Sequence, residues 1–291
     1  MINILKMIKK ILFICVFSFT ISYNLGSYAQ ASTLVKDIHD NYTATNPNSK
    51  PSYLKLMGDN LFFSANTTNV GYELWVYNTI TKEVKLVKDL YEGPESGFPS
   101  FPTEFKGFLY FSAKYNVSGK PYWAAETALW KTDGTREGTT IVKSFNSSFV
   151  RKLIKVGDNL FFTASDAVHG EERWKSDGTT AGTVLVKDIY PGSDCSVPSN
   201  LTRLNDELFF VANDGTNGAA LWKSDGTTVG TVLVKDINNG NVSSVPQNLI
   251  AFNNELYFTA KDGNNGFELW KSNGTLAGTY MIKDIYVGEE D

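Results

Sequence analysis

Three groups of residues in this 291-residue chain have types and spacings that could support chemistry. The first is a pair of acidic turns, Asp214-Gly215-Thr216-Asn217 and Asp262-Gly263-Asn264-Asn265, which set oxygen atoms in tight loops. Calcium takes six to eight oxygen ligands, so Asp214 and Asp262 are minor calcium candidates. Each loop supplies one carboxylate and lacks the repeated Asp of an EF-hand, and a plain hairpin turn is the simpler account. The second group is Tyr115, Tyr122 and Trp123, clustered in one irregular stretch from Tyr115 to Glu126. Aromatic side chains on a loop suit contact with sugar or protein, so these three are the candidate binding residues. The third group is catalytic in type and poor in pattern. His39 and His169 lie far apart without a metal-ligand spacing, so zinc is not expected. No nucleophile elbow accompanies the serines, and no glycine-rich loop opens a helix to hold phosphate.

The elements that must position these residues come from a repeat. Leu185-Val186-Lys187-Asp188-Ile189 recurs at 233–237 and, as Met281-Ile282-Lys283-Asp284-Ile285, at 281–285. Earlier copies begin at Leu34, Leu86 and Ile141, giving spacings of 52, 55, 44, 48 and 48 residues. Within each interval an apolar run such as Leu208-Phe209-Phe210 is followed by a turn. Next comes a segment ending in Trp75, Trp130, Trp174, Trp222 or Trp270. Most units then carry Ser-Asp-Gly-Thr-x-x-Gly-Thr or a variant. Asp133, Asp177 and Asp225, each before a Gly, and Asn273 in the last unit are turn residues. Gly adopts positive φ without steric penalty, and the Asp or Asn side chain accepts local N–H bonds. The repeated Trp is most simply a packing residue.

Each unit thus holds four short β segments; in the unit ending at Ile237 they are 199–205, 207–213, 219–224 and 231–237. No stretch beyond the leader shows the 3.6 period of an amphipathic helix. Four strands in about 48 residues match a propeller blade. The apolar runs are hydrophobic on both faces, as expected of sheets covered on both sides. The predicted fold is all-β, a β-propeller with units near 39–90, 91–145, 146–189, 190–237 and 238–285. A sixth copy of the fourth strand, Leu34 to Ile38, opens the repeat region. It predicts five blades plus an orphan strand from an incomplete ring of six or more, truncated at the C-terminus.

Lys6, Lys9 and Lys10, the uncharged run Ile11 to Ile21, and Ser27-Tyr28-Ala29 compose a secretory signal peptide over residues 1–29. The run is shorter than the ~20 residues that span a bilayer, so no membrane anchor is expected after cleavage. The 27 basic residues less the three leader lysines leave 24 against 31 acidic ones, a net charge near −7. Nucleic acid is therefore not an expected partner. Cys195 is then the lone cysteine, so stability must come from packing rather than a disulfide.

At Ala128-Leu129-Trp130-Lys131-Thr132-Asp133-Gly134-Thr135, Ala220-Leu221-Trp222-Lys223-Ser224-Asp225-Gly226-Thr227 and Glu268-Leu269-Trp270-Lys271-Ser272-Asn273-Gly274-Thr275, the chain resembles the bacterial ELWxxDGT repeat proteins, also described as hyalin-like. The third unit has Glu172-Arg173-Trp174, and the first has Glu73-Leu74-Trp75 without Asp-Gly-Thr, which leaves its third turn open. The resemblance implies an exported surface or extracellular protein, commonly with a C-terminal sorting domain, and carries no reaction or ligand. The Asp-Gly-Thr turns also faintly resemble sialidase Asp-boxes. Arg136, Arg151, Arg173 and Arg203 are too few and too scattered for that substrate clamp. The expected function is a non-enzymatic surface-binding or adhesion module without a cofactor, whose partner is a cell-surface protein or glycan. The alternative is a propeller hydrolase of extracellular polysaccharide, which would need paired carboxylates ~5–10 Å apart.

Overall fold

A computed structural model describes residues 48–145 and 149–287. The leader, the Leu34–Ile38 strand copy and His39 lie outside the described residues. Within them the chain forms five antiparallel sheets of four strands, each ordered as in the sequence. Blade 1 comprises β1 (Ser52–Met57), β2 (Asn60–Thr67), β3 (Gly71–Asn78) and β4 (Val84–Lys88). Blade 2 comprises β5 (Ser100–Phe105), β6 (Phe108–Tyr115), β7 (Glu126–Thr132) and β8 (Thr140–Phe145). Blade 3 comprises β9 (Val150–Val156), β10 (Asn159–Ala164), β11 (Glu172–Ser176) and β12 (Val184–Lys187). Blade 4 comprises β13 (Ser199–Leu204), β14 (Glu207–Asn213), β15 (Ala219–Ser224) and β16 (Val232–Lys235). Blade 5 comprises β17 (Gln247–Phe252), β18 (Glu255–Ala260), β19 (Glu268–Ser272) and β20 (Tyr280–Lys283). The first strands pack in chain order, β1 on β5, β5 on β9, β9 on β13 and β13 on β17.

The Leu-Trp dipeptide sets the packing. Adjacent strand residues point to opposite faces, so Leu looks toward the next blade and Trp toward the preceding one. Leu74 of blade 1 and Trp130 of blade 2 share one buried cluster. Leu129 and Trp174 share the next, and Leu221 and Trp270 share the one between blades 4 and 5. The hydrophobic core is this series of inter-blade layers.

The Lys of Leu-Val-Lys-Asp completes each layer. Lys88, Lys187 and Lys235 donate to the backbone carbonyls of Thr139, Thr231 and Thr279 on the following blade, at 2.8, 2.9 and 2.8 Å. Their ammonium groups lie 5.6, 5.8 and 5.7 Å from the rings of Trp130, Trp222 and Trp270. Lys143 lies 5.4 Å from Trp174 in the same way. These contacts bring the lysine charge over the electron-rich indole face.

The Asp-Gly-Thr segment forms a wider connection than a two-residue hairpin. Asp177 Oδ1 accepts from the Thr179 N–H at 2.8 Å and its hydroxyl at 2.7 Å, while Ser176 and Thr183 hydroxyls bond at 2.7 Å. The same set closes the turns at Asp133, Asp225 and Asn273. The second glycine is required by proximity, since a Cβ on Gly182 would fall 2.0 Å from Asp177 Oδ1. In blade 1, where the motif is absent, Asn78 Oδ1 accepts from the N–H groups of Ile80 and Thr81. That shorter turn preserves the four-stranded blade.

The strands expected for blade 4 coincide with those observed to within two residues at each end. The irregular stretch contains one element the periodicity does not suggest, a single 3-10 turn at Tyr122–Ala124.

Candidate functional site

The repeat is broken most visibly between β6 and β7. Tyr115 and Glu126 are cross-strand partners, so the insertion rises from the closed end of that hairpin. Its base is tied by a 2.8 Å bond from the Tyr115 hydroxyl to Glu126 Oε2 and by the Lys120–Glu126 ion pair. The Lys120 bond and the Tyr115 bond hold the Glu126 carboxyl below its ordinary pKa. Tyr115 packs edge-on against Trp130 at 6.4 Å.

At the tip, Tyr122 folds back onto the connection between blades 1 and 2. Its hydroxyl donates to the Ser96 carbonyl at 3.2 Å, and its ring meets Tyr91 edge-on at 5.0 Å. Tyr115 and Tyr122 are therefore half-buried anchors. Trp123 is 86% exposed, the most solvent-accessible aromatic side chain among the described residues. The three residues grouped by sequence thus share one loop, but only Trp123 is presented to solvent.

Below this loop, between blades 2 and 3, lies a cavity of about 140 Å³. Phe98, Phe101 and Phe149 are its aromatic walls, and Ser100, Ser112, Thr127, Lys114 and Arg151 provide its polar lining. Lys114 on β6 joins cavity and loop, with its ammonium 4.7 Å from the Tyr122 ring and 5.8 Å from the Phe98 ring. Arg151 on β9 lies 3.9 Å from the Phe149 ring. Neither cation forms an ion pair among the described residues. Thr127, the cross-strand partner of Lys114, is 4% exposed, and its buried hydroxyl has no hydrogen-bond partner. A second groove of about 460 Å³ adjoins through Phe98 and Ser100 and includes Tyr53 and Tyr72. Tyr72 stacks on Phe98 at 5.5 Å, and Tyr53 meets Phe101 at 5.5 Å.

Sequence reasoning missed the cavity because its residues come from two repeat units and none belongs to the motif. Arg151 was visible only as one of four scattered arginines. The Phe98-Pro99 lead-in was a signal of irregular backbone, and Phe98 and Phe101 do take φ of 50° and 55°.

The carboxyls with raised pKa serve the scaffold. Glu73 accepts N–H bonds from Leu90 at 2.8 Å and Gly97 at 2.6 Å, yet burial pushes its carboxyl up to about 8. Glu172 is likewise raised by burial while bonded to Ser196 and Tyr190. Both tie the third strand of a blade to the connection leading into the next.

The acidic turns are engaged by their own backbones. Asp214 Oδ1 accepts from Thr216 and Asn217 N–H groups at 2.9 and 2.7 Å, and Oδ2 accepts from the Asn217 amide at 2.7 Å. Asp262 is held similarly by Asn264 and Asn265. Among the described residues, no three His, Cys, Asp or Glu side chains converge as a metal site. Cys195 is exposed, and its sulfur accepts the Glu171 N–H at 3.2 Å.

No family model and no curated protein sequence matches the chain. Among solved structures, a puromycin hydrolase matches at 11% identity with a TM-score of 0.53, over 83% of this chain and 38% of its own. A puromycin-hydrolyzing peptidase of Mycobacterium tuberculosis matches at 8% identity with a TM-score of 0.49, over 83% and 48%. The chain spans less than half the length of either. At 11% identity the likeness to the first of these speaks to fold alone, and together with the five four-stranded sheets it makes the protein a β-propeller of four-stranded blades.

Proposed function

We propose that the protein is an exported, non-enzymatic β-propeller of the ELWxxDGT repeat type that binds a cell-surface or extracellular glycan. The observation that carries this reading is Trp123, 86% exposed on a loop whose neighbouring tyrosines are anchored. A large aromatic side chain left in water costs free energy unless a partner covers it, and holding the loop in advance lowers the entropy lost on binding. The adjoining grooves, walled by Tyr53, Tyr72, Phe98 and Phe101, extend the aromatic surface toward blade 1. Sugar rings present apolar faces that stack on such side chains. The leader composition supports export.

A glycan array probed with the wild type and with Trp123→Ala tests this. Trp123→Ala should lower binding by tenfold or more while leaving the thermal midpoint within about 1 °C, since exposed positions contribute little to stability. Undiminished binding to every glycan would place the site elsewhere. Incubation with the bound polysaccharide should release no reducing ends; release would favour the hydrolase instead.

A further inference from the structure

We propose that the cavity between blades 2 and 3 is a subsite for a uronic acid residue, a six-membered sugar ring bearing a carboxylate; this rests on the proposed glycan-binding function. Four features converge. The cavity, at about 140 Å³, is close in size to the ~150 Å³ cavities that hold a single benzene ring, so it suits one ring rather than an extended chain. Its lining includes three aromatic side chains, Phe98, Phe101 and Phe149, which suit the apolar faces of a pyranose. Lys114 and Arg151 line it from different blades, each touching an aromatic ring and neither paired with an acid among the described residues. Two unpaired cations at one small cavity call for an anion.

The fourth feature is the Thr127 hydroxyl. Thr127 lines the cavity, and its hydroxyl is buried and lacks a partner. A buried hydroxyl left unsatisfied costs about 1–3 kcal/mol, which a ligand hydroxyl would recover. Ser100 and Ser112 add two further groups able to bond sugar hydroxyls. A bare inorganic anion would use the cations and leave the aromatic walls uncovered. A neutral sugar would use the walls and leave the cations without a counter-charge. A sugar carboxylate uses both. Glu73 sits behind the lining residue Gly97, and its oxygens are already engaged by the Leu90 and Gly97 N–H groups.

Titration calorimetry of the full chain with four probes tests the inference: a galacturonate tetramer, free glucuronate, a neutral glucose tetramer and sodium sulfate. The galacturonate tetramer should bind, with affinity falling as salt rises. Free glucuronate should compete for the same site. Arg151→Gln and Lys114→Gln should each weaken the acidic tetramer tenfold or more. Thr127→Val should weaken it severalfold and Thr127→Ser should restore it. Thermal melts confirm that each variant is folded. Equal binding of both tetramers, still lost in Trp123→Ala, would overturn the uronate subsite and leave the glycan reading standing. Sulfate binding as tightly as glucuronate would reduce the cavity to a simple anion site and overturn it too. Failure of every sugar here and on the array would sink both.

Discussion

Blades 4 and 5 carry nearly the same motif and sit in different surroundings. In blade 4, Leu204 is 7% exposed, Leu221 is fully buried and Ile237 is 6% exposed. The corresponding Phe252, Leu269 and Ile285 of blade 5 are 62%, 39% and 71% exposed. The other face of blade 5 is as well covered as that of blade 4, with Trp270 and Trp222 both buried. The difference teaches that one blade supplies two apolar faces and no core. Burial belongs to the interface, so identical residues have different energetic weight according to the blade packed against them.

The largest test of this comparison is a matched truncation. Leu221→Ala should lower the unfolding free energy by about 2–5 kcal/mol, the usual range for a buried leucine, whereas Leu269→Ala should lower it by about 1 kcal/mol or less. Denaturant unfolding monitored by Trp fluorescence measures both. Equal losses would mean that the outer face of blade 5 is covered in solution.

A second test uses the position equivalent to Leu221 in blade 3, which is Arg173. It is fully buried with its guanidinium 5.2 Å from the Phe210 ring, and none of its nitrogens has a hydrogen-bond partner among the described residues. Burial pushes its pKa down to about 9, although Glu172 and Glu171 oppose this. Arg173→Leu restores the repeat residue and should raise stability by about 1–4 kcal/mol, since a buried ion is often less favourable than a well-packed apolar side chain. A lowered thermal midpoint would show that the charge is compensated.

A third test is a change of slope with pH. Glu73 and Glu172 occupy a position filled by Ala128 and Ala220 in blades 2 and 4. Because folding raises the Glu73 pKa from 4.5 to about 8, its stabilising contribution is complete below pH 4.5 and is lost as pH rises toward 8. Thermal midpoints should therefore fall between pH 5 and 8. Glu73→Gln should make the fall shallower without abolishing it, because the Glu172 pKa is raised as well. An unchanged slope would show that Glu73 stays ionised in the fold.

Much of this was legible in the residues. The Trp spacing marked the blades, and the apolar runs marked strands covered on both faces, because both signals are local and recur. The Asp-Gly-Thr turn was legible as a turn; its docking on the previous blade was not. Gly274 sits where a Cβ would lie 2.9 Å from a Phe209 ring carbon, a contact spanning 65 residues of chain. Sequence also singled out Trp123 by its break from the repeat, but Tyr115 and Tyr122 looked equivalent to it until the loop was seen folded back.

By itself the sequence determined the blade: four strands, the turn between the last two, and an apolar residue for each face. Only the tertiary structure decided which of those faces are buried and which residues from different units share a cavity. The physical reason is that strand periodicity and turn chemistry act over a few residues. The meeting of Thr127 and Arg151 depends instead on how one twisted sheet stacks on the next, which no single repeat encodes.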